Sequence, residues 1–210
     1  MQGDDATLVE PLADELLRAS FAFDDDSHAV LLANLQAKNV RHRVLALRGL
    51  TRRSLMTPEL WQQGLSDGDV EIQRESLQLF AHDELNDPDV LALVVELLGD
   101  DDDLVVEGAA FALGEHLFDD AVVELCEVAA SHEDARCRES AIAALGSIGD
   151  DRGRATVLNA LKDKPAIRRR AIVALSNFEG PDIEAALDEA GEDRDWQVRS
   201  TVTQLRNQDD

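Results

Sequence analysis

Tyrosine is absent from this 210-residue chain, and aromatic residues make up 4% of it. A base-stacking face of the usual tyrosine-rich kind is therefore missing. The two cysteines argue against a disulfide scaffold. No run of 18 apolar residues occurs, so no membrane span is expected. No alternating β-branched run is long enough to make a strand. A Gly-rich phosphate loop and a Ser-His-Asp arrangement are both lacking. The opening residues Met1-Gln2-Gly3-Asp4-Asp5 have neither the basic start nor the apolar core of a signal peptide, which leads to the expectation of a cytoplasmic protein.

Lysine is also scarce. Only Lys38, Lys162 and Lys164 are present, while Asp and Glu together number 44 and the net charge is −24. An Asp-rich, Lys-poor chain resembles proteins of salt-in halophiles, in which concentrated salt screens self-repulsion. The few cations are clustered. Ser27 to Pro58 contains no acid but holds Lys38, Arg41, Arg43, Arg48, Arg52 and Arg53; Arg152 to Arg170 holds seven cations against Asp163 alone.

What the chain has is a repeat. Cys137-Arg138-x-x-Ala141-x-x-Ala144-Leu145-Gly146 is its cleanest copy, followed by Ile167-Arg168 with Ala171, Ala174 and Leu175, and by Val198-Arg199 with Val202 and Leu205. Earlier copies begin at Val105, Ile72 and, on this reading, Val40. A period near 30 residues marks stacked supersecondary units. Each unit reads as a helix A, a short acidic turn, and a helix B that carries the signature. Thr57-Pro58-Glu59, Asp87-Pro88-Asp89 and Gly180-Pro181-Asp182 mark A-helix starts. Gly146 and Gly149 are read as helix ends. Apolar residues at offsets 0, 4, 5, 7 and 8 cover about half of helix B, so B packs on its own A and on neighbouring units. Thr7 to Phe21 reads as one amphipathic helix capping the stack. The expected fold is all-α: a solenoid of about six helical hairpins over residues 27–208, after a capping helix and acidic linker over 1–26, in one domain.

The turn acids followed by hydrophobic-Arg-x-x-Ala-x-x-Ala-Leu-Gly resemble HEAT-like repeats of the phycocyanobilin-lyase type, strongly from residue 104 onward. The resemblance implies a right-handed stack. It also implies a ladder in which the signature Arg of one unit pairs with a turn Asp of its neighbour, carried here by Arg41, Arg138, Arg168 and Arg199. Gln73 and Val106 replace that Arg in the second and third units, so the ladder should break there. No catalytic residue transfers.

The inner face of such a stack is lined by B helices. Offsets 2, 3 and 6 give basic ends and an acidic middle, in which Phe111 stands out as an apolar residue on the polar arc. The expected function is a non-catalytic adaptor or scaffold, a monomer that binds an acidic or mixed-charge surface of another protein through Arg43, Arg74, Phe111, Arg169 and Arg170, without a cofactor. Arg and aromatic residues are over-represented among binding hot spots. Nucleic-acid binding and a bilin- or cofactor-lyase-like accessory role are the alternatives; against the former stands the strongly acidic balance. Cys126, His132 and Cys137 have C-x5-H-x4-C spacing with no fourth ligand nearby and lack the tight pairs of structural zinc sites. With Cys137 at a position that is Val or Ile in other units, burial accounts for it and no metal site is expected.

Overall fold

The computed structural model describes residues 9–207. Among them every regular element is helical. The first helix, α1 (Val9–Ala19), is followed by six pairs: α2 (Asp25–Asn34) with α3 (Val40–Arg52), α4 (Pro58–Leu65) with α5 (Val70–Phe80), α6 (Pro88–Glu96) with α7 (Asp103–Glu115), α8 (Val122–Ser131) with α9 (Ala135–Ile148), α10 (Asp151–Ala160) with α11 (Pro165–Leu175), and α12 (Pro181–Gly191) with α13 (Trp196–Arg206). The anticipated helix beginning at Thr7 starts, within the described residues, at Val9. The last anticipated solenoid residue, 208, lies outside them.

The helices group into two compact units, one up to Val90 and one from Leu91. In the first, α1 packs on α2 and α3, and α3 packs on α5. Leu16, Leu31, Leu47 and Leu50 are fully enclosed, and Trp61 meets Phe80 edge to face at 5.3 Å. In the second, α7, α9, α11 and α13 pack in series, with α8, α10 and α12 against their own partners.

The acidic turns have a shared geometry. Asp69, Asp102, Asp134 and Asp195 cap their B helices by accepting from amides two or three residues on. Two residues earlier, Asp67, Asp100 and Asp193 accept the amide of the capping residue itself, and in the fourth turn His132 Nδ1 takes that part. Short polar side chains here satisfy the orphan amides of a helix start.

Aligning the caps corrects two sequence expectations. Asn39 caps α3, so the first signature position of that unit is His42, not Val40. His42, Ala46, Leu47 and Leu50 are buried where their counterparts Cys137, Ala141, Ile142 and Leu145 are buried. The second concerns glycine. Gly149 is a left-handed helix end at φ 69°, as anticipated, whereas Gly146 lies inside α9. A Cβ on Gly146 would stand 2.6 Å from the Cα of Ala174, and one on Gly114 would stand 2.8 Å from the Cα of Ala144. The signature Gly therefore lets one B helix meet the backbone of the next.

Candidate interaction face and the ladder beside it

The ladder lies at the turns. Arg138 donates from Nε and Nη2 to the two carboxylate oxygens of Asp163 (2.8 and 3.0 Å), and from Nη1 to the carbonyls of His132 and Glu133 (2.7 and 3.1 Å). Hydrogen bonding from Arg138 holds the Asp163 carboxyl below the usual carboxylate range. Arg168 donates to Asp193 Oδ1 and to the Asp163 carbonyl, both at 2.8 Å. Arg199 donates to the Asp193 carbonyl. In the first unit the rung is Arg43, which donates to the Ala37 carbonyl and to Asp67 Oδ1 (2.9 and 3.1 Å). Arg41, the residue expected there, is exposed; the two-residue register shift in α3 is the reason. Gln73 instead donates to the Leu65 carbonyl. The third unit has buried Val106 at the Arg position, and His132 replaces the turn Asp that would face it.

The register shift also moves the face. Arg43 is largely buried in its rung, while Arg48 is exposed and donates through Nε and Nη2 to Glu75 at 2.6 and 2.7 Å. Arg74 is half-buried on α5, next to Glu75 in sequence. In the first unit, then, Arg48 rather than Arg43 is presented with Glu75.

In the second unit the B helices present two rows. One, at offset 6, is Phe111 on α7, Ala143 on α9 and Val173 on α11; Phe111 is 42% and Val173 49% exposed. The other is charged: Arg136 stands 3.9 Å from Glu107, Arg170 3.4 Å from Glu139, and Arg169 donates to Gln197 at 3.0 Å. The structure thus places Phe111 on α7 and Arg169 and Arg170 on α11, two B helices of one unit with α9 between them. Exposed pairs of this kind add little stability, which leaves their charges available to re-pair with another molecule. Val173 was not anticipated as a site residue, although it shares the Phe111 offset and could have been read from it.

The profile of the HEAT-repeat family matches residues 122–206. The match spans the last three helical pairs, α8 to α13. The whole chain is similar in structure to YibA from Escherichia coli (18% identity, 96% of this chain and 75% of that one, TM-score 0.64). It is also similar to a designed armadillo repeat protein solved with the peptide (KR)4 (11%, 98% and 95%, 0.50), and to human deoxyhypusine hydroxylase in complex with glycerol (19%, 97% and 80%, 0.50). At these identities the likeness is one of fold: an α-solenoid of HEAT and armadillo type, which serves an enzyme as well as repeat proteins. No curated protein matches the sequence. No helix among the described residues is long and apolar enough to cross a membrane.

Proposed function

We propose that this chain is a non-catalytic adaptor that binds a mixed-charge segment of another protein across the B helices of its second unit. The observation that carries the reading is the pair of parallel rows, Phe111-Ala143-Val173 beside Glu107, Arg136, Glu139, Arg169 and Arg170. An apolar strip flanked by both signs of charge suits a segment with apolar side chains along one edge and alternating charges along the other. The designed armadillo relative held a peptide in its structure, which supports the use of such a stack for peptide capture. Nucleic acid fits less well, because Arg136 and Arg170 already stand beside carboxylates and the chain carries −24.

The test is recovery of the partner from host lysate, with nuclease treatment as a control. The triple change Phe111→Ala, Arg169→Glu and Arg170→Glu is expected to abolish recovery of a nuclease-resistant protein while leaving the helical circular dichroism intact. Undiminished recovery by a folded triple variant rejects this face.

The setting we propose is a cytoplasm rich in salt. With −24 on 210 residues, self-repulsion is strong at low ionic strength and short-ranged in molar salt. The melting temperature should therefore rise steadily from low salt to molar KCl; a flat profile over that range removes the halophilic reading.

A further inference from the structure

The break in the ladder between the third and fourth pairs is occupied by other chemistry. Asp103 opens α7, His132 lies in the turn before α9, and Cys137 is buried in α9. One ligand atom from each lies within 4.8 Å of the other two. His132 Nε2 is 4.0 Å from Asp103 Oδ1, and Cys137 Sγ is 3.1 Å from the Asp103 carbonyl. Sequence spacing suggested Cys126 as the companion of His132 and Cys137, but Cys126 does not belong to this group. Asp103 does, and it comes from the preceding repeat, where no local motif could reveal it.

We propose that Asp103, His132 and Cys137 form a three-ligand site for a zinc-class divalent cation, which clamps the third repeat to the fourth where the arginine rung is missing. Two independent features support it. One is chemical: carboxylate, imidazole and thiol are the three protein ligand types zinc takes. The other is positional. In the second, third and sixth pairs the turn position of His132 holds Asp67, Asp100 and Asp193, and the helix position of Cys137 is Ile72, Val105, Ile167 or Val198 in every other pair but the first, where it is His42. Both departures fall at the one interface within the second unit that has Val106 in place of a rung arginine.

The geometry needs only modest closure. Ligand atoms on a tetrahedral ion with bonds of roughly 2.0–2.3 Å stand about 3.3–3.8 Å apart. The exposed Asp103 side chain and the turn-borne His132 can move that far, while buried Cys137 stays fixed. Coordination through His132 Nε2 places the ring proton on Nδ1, so the Asp134 amide, now 3.2 Å from Nδ1, turns to solvent. The Cys137 thiol gives up its proton to become the sulfur ligand. A fourth position remains open on the Asp103 side, whose side chain is 53% exposed.

The experiment uses the whole chain, stripped with chelator, then titrated with cobalt(II) and back-titrated with zinc. The expected result is one cobalt per chain, with a sulfur-to-cobalt charge-transfer absorption that zinc abolishes. Cys137→Val installs the residue that the third and sixth repeats carry there, and His132→Asn keeps a side-chain acceptor for the turn amide without supplying a good zinc ligand, so both variants should fold. Each is expected to lose stoichiometric binding, and Cys126→Ser to keep it. Absence of binding overturns the proposal. So does a cobalt spectrum without the sulfur band, or one unchanged in Cys137→Val, since either assigns the metal to surface carboxylates of an acidic chain.

Discussion

Replacing Gly146 with alanine is expected to destabilise the protein, although alanine is the better helix former. In an open helix that change contributes about 1 kcal/mol of stability. Here the new methyl would lie 2.5 Å from the Cβ and 2.6 Å from the Cα of Ala174. The second of these is backbone and cannot rotate away, so α9 and α11 must separate along their contact. Overpacking of this kind costs roughly 1–3 kcal/mol, and the propensity gain offsets only part of it. A net loss of about 2 kcal/mol is expected from Gly146→Ala in urea denaturation at fixed high salt. Gly68 supplies the contrast. Nothing lies within 4 Å of a Cβ built there, so Gly68→Ala should be neutral or stabilising by up to about 1 kcal/mol. Equal behaviour of the two variants would mean that the helices do not meet at Gly146.

The second large effect is expected at the rungs, and in an order that burial alone would reverse. Arg168 is more deeply buried than Arg138, with side-chain exposures of 6% and 13%. Yet every guanidinium nitrogen of Arg138 is hydrogen-bonded, whereas Arg168 Nε is buried without a partner. Removing one member of a buried pair costs about 3–5 kcal/mol because the other charge is stranded. Asp163 keeps 24% of its side chain in solvent, which lowers the figure for Arg138→Met to about 3 kcal/mol. For Arg168→Met the loss of an unpartnered polar atom offsets part of the cost, and about 1–2 kcal/mol is expected. The pH dependence has a definite sign. Hydrogen bonding from Arg138 depresses the folded-state pKa of Asp163. The rung's contribution is therefore complete above the ordinary carboxylate pKa and is lost as pH falls through the depressed value. The gap between the parent and Arg138→Met should narrow in acid. A gap independent of pH would show that Arg138 acts through packing of its stem alone.

Much of this was legible because repeats report on one another. Cys137, Ile167 and Val198 set a register that located α9, α11 and α13, and the same register marked Gln73 and Val106 as breaks in the ladder. It failed at α3 for a physical reason. Val40, Val44 and Leu47 imitate the apolar offsets, while the true positions hold His42, Ala46 and Gly49. A buried histidine and a glycine carry no hydrophobic signal, and only the Asn39 cap settles the frame. The error then propagated, since Arg43 was assigned to the face when it belongs to a rung. Gly146 was misread as a helix end because glycine serves both purposes, and the difference lies in the neighbouring helix. Asp103 was beyond reach for a similar reason: its companions lie one repeat further on.

The close seam at Gly114 and Gly146 also has a metric consequence. Helix axes that meet without intervening side chains stand at the short end of the usual range, about 8 Å apart. Phe111, Ala143 and Val173 thus mark off a ruler with a fine, fixed graduation. An extended chain laid across it advances about 3.3 Å per residue, so each graduation falls a little beyond two residues, near the interval at which side chains return to the same edge. The glycines, each set against an alanine of the next helix, would in this way set the reading frame of whatever lies across the face.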